Sequence, residues 1–363
     1  MKKIIISGGG TGGHIYPAIA IANALKSIDP SIQILFVGAL DKMEMEKVPK
    51  AGYEIIGLPI SGIKRELSAD NLLFPFKLTR SLLKARSIIK SFQPDIAIGV
   101  GGFASGPLLM VASLMGIPTL IQEQNSYAGI TNKLLAKRAK AICVAYPNME
   151  AFFPKNKLKL TGNPVRSDIL DSSSKRAEAY KHFGLQPNHK TLLVIGGSLG
   201  AKTINESIEA GLKTIIDSGY QVLWQTGKPY AERAKAAVEH LKTPYAKASD
   251  FIYEMDLAYA LADVVVSRAG ALSVSELCLV EKPAILVPFP YASEDHQTKN
   301  AMSLVEQNAA LLVKDKDAKE ELVQTTLRLL QDSGKQQELS KNIKKIAKPN
   351  AAKEIAETVL SLI

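Results

Sequence analysis

Residues Thr191 to Asp217 read TLLVIGGSLGAKTINESIEAGLKTIID, a short apolar run, a glycine turn and a helical pattern. The start of the chain has the same plan, with KIIIS, a glycine loop and PAIAIANALKS. After each start the alternation continues. QILFVG, a helix near 42–50, EIIGL and so on to AICVAY follow the first, and QVLWQTG, DVVVSRAG and PAILVPF follow the second. Such alternation predicts βαβ units in a doubly wound parallel sheet, and its restart predicts two Rossmann-like domains. Between the halves TGNPVRSDILDSSSKR stops regular structure at Asn163-Pro164 and the serine run. The expected domains are therefore 1–163 and 164–349. Beyond Lys348-Pro349, NAAKEIAETVLSLI predicts a terminal helix over 350–363 with Ile355, Val359 and Leu362 on one face, packing back on the first domain. Facing domains of this kind place a cleft between the carboxyl ends of their sheets, where nucleotides and substrates bind.

Composition agrees with two α/β domains, since 363 residues with 46% apolar and 22% charged content exceed what one core organises. Cys143 and Cys278, the only two cysteines, lie in apolar runs and read as buried thiols in a reducing cytoplasm, not as a disulfide or metal site. MKKIIISGGG reaches glycine after too short an apolar run for a signal peptide. Ile96 to Gln122 carries no charge, but its glycines and two prolines predict strand, turn, helix and strand in a buried sheet, not a membrane span. The net charge of +10 calls for an anionic partner. With 6% aromatic residues and neither zinc-finger spacing nor an RNP-type strand, nucleic acid is not the partner expected.

The chemistry is expected in the loops. GGGTGGH, Gly8 to His14, lies between a strand and a helix expected to start around Pro17, where bare backbone N–H groups suit a phosphate or sugar. Gly8, Gly10 and Gly13 fit GxGxxG, yet the second strand ends at Gly38 and reaches an acidic residue only at Asp41, which counts against a nicotinamide-dependent dehydrogenase. GGSLGA, Gly196 to Ala201, reads as a tight turn or as a phosphate loop with Ser198 offering a hydroxyl. GVGGFASG, Gly99 to Gly106, reads as a close backbone crossing or a further ligand loop. In SRAGALSVSELCLVEKPAILVPFP, Ser267 to Pro290, small residues suit a helix N-terminus against a ligand. Glu276 there either accepts from a ribose diol or balances the helix dipole. The DKD at Asp315 to Asp317 sits in a charged run and reads as a solvated helix start, not a metal site.

Taken together GGTGGH, GNPVR, GGSLGA, RAGALSVSE, QEQNSYAGITNK and HQTKNA span essentially the whole chain. They resemble the MurG family, undecaprenyl-diphospho-muramoylpentapeptide β-N-acetylglucosaminyltransferases of the GT-B fold. The resemblance implies inverting, metal-independent transfer of N-acetylglucosamine from UDP-N-acetylglucosamine to a lipid-linked muramoyl peptide (lipid I to lipid II), with no cofactor. The acceptor belongs to the N-terminal half and the UDP-sugar to the C-terminal half. Thr11, Gly12 and Gly13 resemble the loop that meets the reacting sugar and acceptor pyrophosphate, and Asn125 an acceptor-side sugar contact. They are grouped with Arg166, Ser198, Ile252, Ala271, Leu272, Glu276 and Gln297 as the donor-binding set. In that set Ile252 presents backbone to uracil, Ser198 meets diphosphate, Glu276 binds ribose and Gln297 holds sugar hydroxyls. Gln122 and His296-Gln297 depart from the family's usual His and Gln-Gln. His14 is the candidate general base, its imidazole biased toward neutral by the helix dipole; the other reading is that it only shapes the loop. Other lipid glycosyltransferases of this fold and a UDP-N-acetylglucosamine 2-epimerase would share much of the donor half.

A lipid-linked acceptor requires contact with an anionic inner-membrane surface at the cytoplasmic face. Leu72, Leu73, Phe74 and Phe76 beside Lys77 and Arg80 are the candidates, with the LLFPF run expected outside a helix interior because of Pro75. Leu82 and Leu83 are expected to pack on the sheet.

Overall fold

The computed structural model describes all residues except 63–72, 166–168, 170, 171, 173 and 198. It divides into two compact units, Met1–Arg166 with Asn350–Ile363, and Ser167–Pro349.

The first unit is built on seven parallel strands, β1 (Lys3–Ser7), β2 (Gln33–Ala39), β3 (Glu54–Leu58), β4 (Ile96–Gly99), β5 (Thr119–Glu123), β6 (Ala141–Val144) and β7 (Leu158–Leu160). Their order is β3-β2-β1-β4-β5-β6-β7. In register, Ile4–Ser7 of β1 lie between Ile34–Val37 of β2 and Ile96–Gly99 of β4. The strands are apolar on both faces because helices cover both. Ile5, Val37 and Ile121 face Ala85, Ile89 and Leu108, whereas Ile4, Ile6, Phe36 and Leu120 face Ile21, Leu25, Ile355 and Val359. The chain end thus returns to the first unit as the helix Ala351–Leu360, packed beside the helix Gly12–Ile28. Its fully buried Ile355 and Val359 each contribute roughly 1.5–3 kcal/mol of apolar burial. The uncharged stretch from Ile96 forms β4, the helix Ser105–Leu114 and β5. Among the described residues no helix is long and apolar enough to cross a membrane.

The second unit repeats the plan with six parallel strands, β8 (Thr191–Ile195), β9 (Gln221–Gln225), β10 (Ala246–Ser249), β11 (Val264–Ser267), β12 (Ala284–Leu286) and β13 (Leu311–Leu312), in the order β10-β9-β8-β11-β12-β13. Its core joins Leu192, Val194, Trp224 and Val266 to Ile204, Ile208 and Leu212 of the helix Lys202–Asp217 and to Leu322 of the helix Ala318–Gln331. In each sheet the chain winds outward from one strand in both directions, from β1 to β2 and β4, and from β8 to β9 and β11. Loops diverge at such a point and leave a crevice at the carboxyl ends of the strands.

Candidate active site

In the first unit the loop after β1 occupies that crevice. The helix behind it begins at Gly12, not near Pro17, which falls inside it. Gly12, Gly13 and His14 are therefore first-turn residues, Thr11 is an exposed N-cap without a side-chain capping bond, and no acidic residue lies in the turn. A helix N-terminus with no acidic residue in its own first turn suits an anion.

His14 Nδ1 lies 3.1 Å from the carbonyl oxygen of Gly9, which can only accept, so Nδ1–H is the donor. The neutral ring then carries its lone pair on Nε2. Across from that edge is the loop after β4. A Cβ on Gly101 would lie 2.8 Å from Nε2, and one on Gly102, at φ +87°, would lie 2.3 Å from the Gly9 oxygen. The close-crossing reading of GVGGFASG is thus the observed one, and the crossing walls the histidine. Ser105 fastens it, donating to the Ser7 carbonyl at 2.9 Å and the Gly101 carbonyl at 2.8 Å.

Asn125 follows β5 in the same crevice. Its backbone N–H and side-chain amide reach Glu123 Oε1 at 3.1 and 3.4 Å, and Glu123 Oε2 accepts from Gly129 N–H at 3.0 Å and Asn132 Nδ2 at 2.8 Å. The buried Glu123 therefore sets the course of this loop. Gln122 is fully buried and bonded to Gln124 and Asn163, so it supports the strand end and does not face a ligand.

Sequence reasoning missed Glu44. It is wholly buried in the first turn of the helix Glu44–Lys50, and its carboxylate accepts from Gly10 N–H and Ala39 N–H, both at 2.9 Å. This acidic residue follows β2, where a dinucleotide fold holds its ribose, but it turns inward to the glycine loop. The only signals in the sequence are Gly9 and Gly38, where a Cβ would meet the Glu44 side chain at 2.1 and 2.5 Å.

In the second unit the described members of the predicted set, Ile252, Ala271, Leu272, Glu276 and Gln297, follow the carboxyl ends of β10, β11 and β12. Gly200, at φ +77°, presses on Thr226, where a Cβ would lie 2.1 Å from the carbonyl oxygen. Asn205 Nδ2 donates to that same carbonyl at 2.8 Å, and Trp224 Nε1 donates to Asn205 Oδ1 at 3.0 Å. Ser198 and Arg166 lie outside the described residues, as does Leu72. Ile252 is buried and its N–H is already held by Gln225 Oε1 at 3.0 Å, while Gln225 Nε2 reaches the Gly197 carbonyl at 3.3 Å. A nucleobase seeking that N–H must displace Gln225, a residue the sequence reading did not single out.

Ala271 and Leu272 open the helix Ala271–Leu279, whose first turn again lacks acid. Glu276 lies on the second turn, half-buried, and accepts from the hydroxyl of the fully buried Tyr259 at 2.9 Å. Gln297 Oε1 accepts from Phe289 N–H at 2.9 Å, which fixes the amide against the loop after β12. Arg268 braces that loop, donating to the carbonyls of Val287 at 3.0 Å and Pro288 at 3.2 Å and pairing with Asp315. Asp315 also accepts from Thr203 at 3.0 Å. The solvated reading of the DKD run is therefore wrong for Asp315, whose side chain is only 16% exposed, because it balances a nearly buried arginine. Among the described residues no group of three His, Cys, Asp or Glu side chains is arranged to hold a metal ion.

The basic helix spans Phe74–Phe92, with Pro75 in its first turn, where no N–H bond is lost. LLFPF is accordingly not one exposed run. Phe74 is half-buried against the core with Leu78 and Leu82, and Lys77 is half-buried, donating to Ser61 Oγ at 3.2 Å. Phe76 is 72% exposed, and Leu73 and Arg80 are exposed as well. Leu83 was expected to pack but is 65% exposed, one heptad after Phe76.

Residues 4–144 match the glycosyltransferase family 28 N-terminal domain and residues 191–358 the glycosyltransferase family 28 C-terminal domain. The chain is 58% identical over 361 residues to a Cytophaga hutchinsonii protein, covering 99% of this chain and 97% of the relative. It is 54% identical to one from Parabacteroides distasonis, covering 99% and 98%. Both are named UDP-N-acetylglucosamine–N-acetylmuramyl-(pentapeptide) pyrophosphoryl-undecaprenol N-acetylglucosamine transferase. Among solved structures, that of Acinetobacter baumannii MurG superposes with a TM-score of 0.79 at 30% identity, covering 99% of this chain and all of that one.

Proposed function

Because this chain belongs to glycosyltransferase family 28, among the N-acetylglucosamine transferases that match it over nearly its full length, we propose that it moves N-acetylglucosamine from UDP-N-acetylglucosamine to undecaprenyl-pyrophosphoryl-N-acetylmuramoyl-pentapeptide. What carries this reading is that the relatives of that name match the chain across both units, at 54–58% identity over 99% of its length.

The acceptor hydroxyl attacks the anomeric carbon, the bond from that carbon to the diphosphate oxygen breaks, and UDP leaves with the electron pair. Attack from the face opposite UDP inverts the centre and gives a β linkage. His14 takes the hydroxyl proton at Nε2, its tautomer set by the bond from Nδ1–H to Gly9. Charge on the departing diphosphate is met by the acid-free N-termini of the helices Lys202–Asp217 and Ala271–Leu279, by Ser198 and by Arg166, in place of a metal ion. Glu276, oriented by Tyr259, accepts from the ribose hydroxyls. The Ile252 backbone reads the uracil edge, and the amide NH₂ of Gln297 is turned to the sugar. Thr11, Gly12, Gly13 and Asn125 line the acceptor side.

The enzyme works on a lipid-linked substrate and docks on the anionic cytoplasmic face of the cell membrane. Phe76, Arg80, Leu83 and Lys90 recur at helical spacing on a helix with no carboxylate. Each cation near such a surface adds about 1 kcal/mol and the apolar side chains add insertion.

The test is UDP release from UDP-N-acetylglucosamine in the presence of EDTA, with and without lipid-linked muramoyl peptide. Release should require the acceptor and yield one β-linked disaccharide lipid per UDP. Acceptor-independent release with a 2-epimerised sugar would move the chain to the epimerase reading.

A further inference from the structure

The N–H of Gly10 and the carbonyl of Gly9 belong to one peptide unit, and that unit is gripped at both ends. Glu44 Oε2 accepts from its N–H at 2.9 Å, and His14 Nδ1–H donates to its carbonyl at 3.1 Å. A trans peptide is planar, with N–H and C=O pointing in opposite directions, so fixing one end aims the other. A peptide between two glycines has little steric resistance to turning over, since neither neighbour has a Cβ. Turned over, it would present the Gly9 carbonyl to the buried carboxylate and an N–H to His14. The first contact sets two acceptors against each other out of water, where unpaired polar atoms are most costly. The second would make Nδ1 the acceptor and move the ring proton to Nε2.

We propose that Glu44 is a positioning residue for the transfer reaction, holding the Gly9–Gly10 peptide in the one orientation that keeps the His14 proton on Nδ1 and the lone pair on Nε2. Three features support it. Glu44 is wholly buried, so its carboxylate is committed to the backbone and does not meet substrate. Its other oxygen is tied to Ala39 N–H at 2.9 Å, which anchors the carboxylate to the end of β2. Gly9 and Gly38 leave the space it fills, since a Cβ at either would overlap its side chain. The charge matters as well as the shape, because hydrogen bonds in series polarise one another and a carboxylate strengthens the bond from His14 through the peptide.

The inference rests on the reading of His14 as the base, and the test separates the two. Glu44→Gln keeps the volume but presents an NH₂ where two N–H donors converge, so it should loosen the peptide. In ¹⁵N spectra of the neutral imidazole, the full-length wild type should carry its His14 proton on Nδ1, and Glu44→Gln should shift population to Nε2. The kcat of Glu44→Gln should fall about ten- to a hundredfold, with the KM for UDP-N-acetylglucosamine within about twofold. In a His14→Ala background the same substitution should have no further effect on kcat. An unchanged tautomer in Glu44→Gln, or an equal loss of kcat with and without His14, overturns the role of Glu44. Near-normal kcat in His14→Ala removes His14 as the base, while the spectra still judge the grip on the peptide. Should Glu44→Gln fail to fold, Glu44→Asp, with the carboxylate one methylene short of Gly10, takes the same spectral and kinetic tests.

Discussion

Glu276→Gln probes the donor half with little damage to the fold. Glu276 accepts from the hydroxyl of Tyr259, which is fully buried. Truncation to Ala would remove the carboxylate that accepts from that buried hydroxyl, at a cost of about 1–3 kcal/mol of stability, and confuse binding with folding. Gln keeps a carbonyl oxygen for Tyr259 and removes only the charge. Hydrogen bonds to an ionised acceptor are worth roughly 1.5–3 kcal/mol against 0.5–1.5 for neutral pairs, so each ribose hydroxyl should lose about 1–1.5 kcal/mol. One or two such bonds lower UDP affinity by about 5- to 150-fold. Titration calorimetry with UDP and its 2′-deoxy analogue reads the effect directly. The wild type should prefer UDP by about tenfold, and the variant should bind both within about twofold of each other. The melting temperature should stay within about 2 °C, because less than 1 kcal/mol of stability is at stake. Tyr259→Phe should weaken UDP binding by a smaller factor, since it removes one orienting bond without discharging the carboxylate. A folded Glu276→Gln that keeps the full preference for UDP would refute the ribose role and leave Glu276 as a charge near a helix end.

Phe76→Ser with Leu83→Ser should weaken binding to vesicles containing anionic lipid and slow transfer to long-chain acceptor, while transfer to a short-chain soluble acceptor stays near normal; equal loss on both acceptors would exclude membrane docking by this face. Asp315→Ala should cost about 3–5 kcal/mol in urea unfolding because it strands Arg268, whose side chain is 11% exposed, whereas a change below about 0.5 kcal/mol would return Asp315 to a solvated role. Burial, reinforced by Arg176, lowers the Lys282 ammonium to about 8. The protonated form is thus disfavoured in the fold, and the cost is fully present below pH 8. It fades as pH rises toward 10.5, where the unfolded chain also loses its proton. Lys282→Met should therefore be more stable than wild type at pH 7, by at most about 2–3 kcal/mol less the lost bond to the Ala262 carbonyl, and the gap should shrink by pH 10. A gap that does not change with pH would contradict this assignment.

The parallel sheets and their glycine loops were legible because they are written locally. A strand, its turn and its helix follow one another within some 25 residues, and the strand-order reversal at β1 and β8 turns that local pattern into a crevice. The groups that hold the loops were not legible, because their partners are far apart in sequence. Glu44 and Gly10 are separated by 34 positions and Ile252 and Gln225 by 27. Asp315 and Arg268 are separated by 47. Nothing in a run such as DKD tells a carboxylate facing water from one facing an arginine just past the end of a distant strand.

Which residues of the basic helix are exposed was not legible for a different reason, the period of the run. Once Pro75 is seen as a first-turn residue, helical spacing applies from Phe74 onward, and residues two apart point about 200° from each other. Phe74 and Phe76 then cannot share a face. Phe74, Leu78 and Leu82 turn to the core, while Phe76, Arg80 and Leu83 turn away from it. Pro75 is kept out of the helix interior, as its missing N–H requires, by standing in the first turn. The apolar residues available to a bilayer are therefore separated by a turn or two of helix and interleaved with cations. Such a surface suits reversible adsorption to anionic headgroups better than insertion, as an enzyme that must release each lipid product requires.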